Sequence, residues 1–109
     1  MTSRTARIRA LNDRARLLQT GDRVVLTSGV VSFGPAFIER ALDQVAAYDS
    51  FDADSDPWEE HDFGALEIGG VKLFWKIDYY DPSLTCGTED PSDEVTCRRV
   101  LTVMLAEEY

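Results

Sequence analysis

Residues 63–80 read Phe-Gly-Ala-Leu-Glu-Ile-Gly-Gly-Val-Lys-Leu-Phe-Trp-Lys-Ile-Asp-Tyr-Tyr, two strand-like runs joined by Gly69-Gly70. A glycine pair between such runs signals a two-residue hairpin turn. A loop of that length also sets the register. It places Ile68 opposite Val71, Leu66 opposite Leu73 and Gly64 opposite Trp75 on one side. On the other side it places Glu67 opposite Lys72, Ala65 opposite Phe74, Phe63 opposite Lys76 and His61 opposite Asp78. The first side is continuously apolar, with Trp75 filling the space above the glycine, and Glu67 and Lys72 carry opposite charges.

Upstream, Ser3 or Thr5 is placed to cap a first helix running to about Leu18. Ile8, Leu11, Ala15 and Leu18 form its apolar stripe at helical spacing, with Arg9 and Arg16 pointing away from it. Thr20-Gly21-Asp22 stops this helix. Arg23–Ser28 is rich in β-branched residues and reads as a strand, extending to Val31 past a bulge at Gly29. Gly34-Pro35 opens a second helix, with Pro35 at the first helical position. Phe37, Ile38, Ala41, Leu42, Val45 and Tyr48 make its apolar arc. The tail Thr96–Leu105 has two readings, and its β-branched content and alternation favour a buried strand over a helix. The expected fold is α+β in one domain over residues 1–109. It is a mainly antiparallel sheet of about four strands with two helices on one face, in the order α-β-α-β-β-β.

A chain of 109 residues with 44% hydrophobic and 28% charged side chains is of globular composition and forms one core. No apolar run reaches the roughly 18 residues of a membrane span, and the N-terminal residues lack the apolar stretch of a secretory signal. A cytoplasmic location is expected. Cys86 and Cys97 stand eleven residues apart, a spacing of neither a redox pair nor half a zinc site, and are expected as reduced thiols rather than a disulfide.

The charge is lopsided. The net is −9, yet residues 1–18 carry +4, through Arg4, Arg7, Arg9, Arg14 and Arg16 against Asp13, and residues 19–109 carry −13. An acidic body disfavours direct nucleic-acid binding, which needs a positive field. It suits solubility, docking of the arginine helix on its own body, or display to a basic protein.

Residues 49–62 (Asp-Ser-Phe-Asp-Ala-Asp-Ser-Asp-Pro-Trp-Glu-Glu-His-Asp) hold seven carboxylates in fourteen positions. Asp52, Asp54 and Asp56 have the spacing that begins a calcium loop. Pro57 and Phe63 stand where that loop needs Gly and a bidentate Glu, so the motif fails. Gly29 and Gly34 have phosphate-loop spacing but are followed by Pro35 and Ala36 instead of Lys and a hydroxyl. No cofactor and no metal ligand set is expected. His61 is the single histidine, and Asp78 across the hairpin with Asp62 beside it would orient its ring, either as a structural contact or as general-base machinery.

Three stretches carry a family resemblance: Arg23-Val-Val-Leu-Thr-Ser-Gly-Val30; His61-Asp-Phe-Gly64 with Phe74-Trp-Lys-Ile-Asp-Tyr-Tyr-Asp81; and Arg99-Val-Leu-Thr-Val-Met-Leu-Ala-Glu-Glu-Tyr109. Together they resemble the bacterial domain-of-unknown-function family DUF3768, small proteins met largely on plasmids and other mobile DNA. The resemblance implies no reaction, cofactor or site residue. The setting it implies favours an accessory or anti-defence role.

The first functional expectation is a non-enzymatic protein-binding module, in its sharpest form a DNA mimic. Its surface would be Asp52, Asp54, Asp56, Trp58, Glu59 and Glu60 and its partner a basic protein, with Trp58 either an exposed anchor or folded back on the hairpin. Two other classes stay open. One is a small hydrolase-type or metal-assisted enzyme centred on His61, Asp62 and Asp78. The other is a structural homo-oligomer in which an edge strand or the Trp58 loop pairs with itself.

Overall fold

Gly69 and Gly70 have φ of 55° and 84°, the pair of positive angles that a tight hairpin turn following the strand twist requires. In this computed structural model, which describes residues 3–19, 23–54, 56–84, 87 and 90–109, the turn joins β2 (Phe63–Ile68) to β3 (Val71–Tyr80). They pair antiparallel in the expected register, from Phe63 opposite Lys76 to Ile68 opposite Val71. The register does not continue to His61 and Asp78. Glu59 and His61 both have φ of 56°, which bends the chain out of extension before the strand begins. Asp78 lies opposite Val100 of the next strand, and its carboxylate takes the Lys76 ammonium at 2.9 Å.

The tail is a strand. β4 (Arg98–Leu105) pairs antiparallel with β3, Trp75 opposite Val103 and Ile77 opposite Leu101. Its other edge takes β1 (Arg23–Leu26) in parallel, Val24 opposite Leu101. The sheet order is β1-β4-β3-β2, so β4, the most fully buried strand, lies inside and β2 forms an edge. Leu73, Trp75, Ile77, Leu101, Val103 and Ile68 point to one face and form the core with Val30, Ala41 and Val45 from the helices.

Among the described residues three α-helices cover that face. α1 (Arg4–Leu18) starts at Ser3, whose Oγ accepts from the Ala6 N–H, and ends with Gln19 in the left-handed region. Residues 20–22, expected to stop it, lie outside the described residues. α3 (Pro35–Ala46) begins with Pro35 in its first turn and buries Ala41 and Val45, as its apolar arc requires. Between them, where a bulged strand was expected as far as Val31, Ser28–Val31 forms the short helix α2. The cause is a carboxylate remote in sequence. The terminal 3-10 turn Ala106–Glu108 delivers Glu108, which accepts from Thr27 Oγ1 at 2.6 Å, Gly29 N–H at 3.2 Å and Leu105 N–H at 2.8 Å. That satisfies a first-turn N–H of α2 and overrides the β propensity of its valines. A Cβ at Gly29 would meet the Glu108 carboxylate at 2.6–2.7 Å, so a larger residue there would push that side chain aside. The element order is therefore α-β-α-α-β-β-β. Cys97 is buried and its Sγ accepts from Arg99 Nη1, while Cys86 and with it the thiol-or-disulfide question lie outside the described residues.

Two predictions follow from this packing. A Cβ at Gly64 would sit 2.7 Å from Trp75 Cε2 and from Tyr48 Cζ. Gly64→Ala is therefore expected to cost about 2–3 kcal/mol by overpacking, read as a lower denaturant midpoint with intact binding chemistry elsewhere. The hydrogen bonds from Thr27 and from the Leu105 and Gly29 backbone hold the Glu108 carboxyl below its ordinary value of 4.5. A depressed folded pKa adds stability above the unfolded value that is lost as pH falls through the folded one. Glu108→Gln should thus melt below wild type at pH 7, and the two melting curves should converge below the carboxylate range; a gap that persists unchanged in acid contradicts this.

Candidate functional site

The inward face of α1 is not the one its apolar stripe predicts. Ile8 and Leu11 are buried, but so are Asn12 and Arg16, whereas Leu17 and Leu18 are 56% and 59% exposed. Arg16, expected outward, is 4% exposed. The reason lies at the end of α3, which has no basic residue in its last turn to satisfy its orphan carbonyls. Arg16 Nη1 supplies the donor from another helix, to Val45 O at 3.1 Å, Ala46 O at 2.9 Å and Tyr48 O at 2.8 Å. A cation at a helix C-terminus also meets the negative end of the dipole. The guanidinium lies 5.4 Å from the Phe51 ring centre and 5.6 Å from that of Trp75, a cation–π seat.

Arg16 and its neighbour Asp13 lead directly to His61. Asp13 Oδ1 receives Arg16 Nη2 at 3.2 Å and faces His61 Nδ1 at 2.8 Å. The imidazole stacks on Phe51, 3.7 Å between centres and 2° from parallel. Its Nε2 lies 3.6 Å from Asp56 Oδ2, and both Asp56 oxygens accept from the His61 N–H at 3.2 and 3.3 Å. His61 is therefore held between Asp13 and Asp56, on the helix side of the sheet. Asp78 is directed to the opposite face with Lys76, so the structure does not bring together the set His61, Asp62 and Asp78. Burial, with the charge of Glu60 next in weight, raises the Asp62 carboxyl above its ordinary value.

Asn12 makes the second tie. Its Nδ2 donates to Glu60 O at 2.9 Å and Tyr79 Oη at 2.7 Å, and its Oδ1 accepts from Arg99 Nε at 2.6 Å. The Tyr79 hydroxyl donates to Glu60 Oε1 at 2.9 Å, and burial raises its pKa well out of the physiological range. Arg99 lies over the Tyr79 ring and also donates to Pro91 O. Every polar group of Asn12 is thus used, as its complete burial demands.

These ties fix the base of the acidic loop and leave its tip in water. Asp56 is 5% exposed and Glu60 half-buried, so two of the six carboxylate-and-tryptophan positions expected to face a partner hold the loop instead. Asp52, Asp54 and Glu59 are exposed, and Trp58 is 78% exposed, standing clear of the hairpin. Asp52 Oδ1 accepts from the Asp54 N–H at 2.9 Å, and Asp56 N–H donates to Asp52 O at 2.8 Å. Beside the loop is an open cleft of about 300 Å³ lined by Phe51, His61, Asp56, Asp52, Glu59 and Arg9. Among the described residues no three His, Cys, Asp or Glu side chains are placed to hold a metal ion, and no helix is long and apolar enough to cross a membrane.

Asp13, Asn12, Arg16, Phe51, Tyr79 and Arg99 escaped sequence reasoning. A signal for two of them existed: Asn12 and Arg16 continue from Ile8 at intervals of four residues, one row of a helix.

The model of the family described as protein of unknown function (DUF3768) matches residues 26–108. The chain belongs to the DUF3768 family. The match begins after α1, so the helix that contributes Asn12, Asp13 and Arg16 lies outside the DUF3768 region. No curated protein and no solved structure matches the chain.

Removing Arg16 takes a donor from the carbonyls of Val45, Ala46 and Tyr48, of which Val45 O keeps the Tyr48 N–H, and removes half of the Asp13 pairing. Arg16→Ala is expected to destabilise the fold by about 3 kcal/mol, with Arg14→Ala, an exposed ion pair with Glu94, within about 0.5 kcal/mol of wild type. Equal effects of the two in urea unfolding would show that Arg16 does not anchor α1.

Proposed function

We propose that this protein is a non-enzymatic binding module that presents the loop of residues 49–60 to a basic protein partner. The single observation that carries this reading is the state of Trp58, 78% exposed in a loop whose base is tied down by Asp56, His61 and Asn12. A large apolar side chain left in water on an ordered support is an anchor waiting for a pocket, and the order reduces the entropy lost on binding. Asp52, Asp54 and Glu59 surround it with negative charge, which steers a basic surface into place. A protein whose usual ligand is nucleic acid has such a surface, which is how a DNA-mimic or anti-defence role would operate. His61, with a carboxylate opposite each ring nitrogen, serves this reading as a clamp.

The test begins with a partner captured on the immobilised protein and continues with rates. Replacing Asp52 and Asp54 with asparagine should slow association and flatten its dependence on salt. Trp58→Ala should chiefly speed dissociation, by about 30-fold or 2 kcal/mol for a hot spot. Neither substitution should lower the melting temperature, since neither side chain supports the core. A partner that binds both variants as tightly as wild type contradicts the proposal.

A further inference from the structure

The seat of α1 has a chemistry of its own. Of the apolar side chains of α1, only Ile8 and Leu11 are buried, and neither belongs to the cluster that forms the core between α3 and the sheet. Polar contacts carry the rest of the docking. Arg4 pairs with Asp90 at 3.4 Å, Arg7 Nε donates to Ser92 O at 2.7 Å, and Arg14 pairs with Glu94. Three arginines thus run along residues 90–94, while Arg9 Nη1 reaches Glu59 O at 3.2 Å and Arg16 enters the socket formed by the end of α3, Phe51 and Trp75. The outer pairs have side chains 50–60% exposed, so water and salt weaken them. The charges match the geometry: +4 on residues 1–18 against −13 on the remainder. The family match over residues 26–108 covers that acidic remainder and leaves α1 out.

We infer that α1 is an exchangeable occupant of an arginine-helix receptor, and that an arginine-bearing amphipathic helix of a basic protein can take its place. The receptor surface is the Arg16 socket together with the acidic band at Asp90 and Glu94. The Trp58 tip is not part of it, although Asn12 and Asp13 of α1 brace the base of that loop; peptide exchange and the Trp58→Ala dissociation rate are read in separate experiments. While α1 is docked, its attachment to the body gives it a high effective concentration and it holds competitors off. An incoming helix must therefore match α1 in two respects: one deeply inserted guanidinium, and a flanking row of arginines. The socket and the acidic band at Asp90 and Glu94 become available only as α1 lifts, which makes the helix a cis-acting guard on them.

The experiment uses the full chain and a fluorescent peptide with the sequence of residues 3–19 as the probe. In amide hydrogen exchange of the wild type, α1 should open at least about tenfold more often than β3 and β4. The peptide should bind the Arg16→Ala chain, whose own helix no longer fills the socket, at least about tenfold more tightly than it binds the wild type. A peptide carrying Arg16→Ala should not bind either chain. If the Arg16→Ala chain does not fold, the Arg4→Ala/Arg14→Ala chain takes its place and must show the same ordering. Exchange of α1 at the rate of the central strands, equal peptide binding by variant and wild type, or binding indifferent to the peptide's Arg16 would overturn the inference. So would a concentration-dependent dimer that the peptide fails to disperse, because α1 would then be exchanged only between copies of this chain.

Discussion

Arg16 places a charge where a helix of this kind ordinarily buries an aliphatic side chain, and the structure depends on its finding partners there. Leaving an isolated cation in a core would cost more than the whole stability of a small domain. The site avoids that cost by pointing the guanidinium at the carbonyls of Val45, Ala46 and Tyr48 where α3 ends. Two deficits, a buried charge and an uncapped helix end, cancel each other. The aromatic rings of Phe51 and Trp75 complete the seat, and Trp75 is in turn packed against Gly64 at the open end of the hairpin. One contact therefore couples α1, α3, the acidic loop and the sheet.

The acidic loop inherits its shape from that contact. Asp13 bridges Arg16 and His61, His61 stacks on the same Phe51 that lies against Arg16, and Asp56 takes the His61 backbone N–H. Asn12, one turn before Arg16 on the same face, holds Glu60 and Tyr79. Seven carboxylates in residues 49–62 would repel one another and extend if the loop were merely solvated. Here the inner carboxylates of Asp56 and Glu60 accept hydrogen bonds from the His61 N–H and the Tyr79 hydroxyl, and the outer ones are left in water. This division of labour gives the loop a defined tip, and Trp58 stands on it.

How legible this was differs by element, for physical reasons. The hairpin could be read outright because a two-residue glycine turn and a period-two apolar pattern specify the same register. α3 could be read because its apolar arc and the core face coincide. The register of His61 with Asp78 could not, because it assumed an extended chain where Glu59 and His61 adopt φ of 56°. α2 was hidden because the acceptor that caps it, Glu108, lies 79 residues from Gly29 in the chain. The rotation of α1 was hidden because hydrophobic periodicity ranks Leu18 above Arg16, whereas the available partners at the end of α3 favour the arginine. Of the site, the exposed half of the loop was visible in composition, and its buried half required knowing what α1 brings to it.

The functional account rests on the loop being held rather than free, since a disordered acidic segment would lose the preorganisation that makes Trp58 an anchor. The most direct test is the backbone 15N order parameters of residues 52–60, measured by NMR relaxation on the full chain. If Asp56, His61 and Asn12 fix the loop, the values should approach the ~0.85 of rigid backbone, with the Trp58 amide close to those of β3. Values below about 0.6 across the segment would contradict the account, because a loop moving that freely could not display the tryptophan in one orientation.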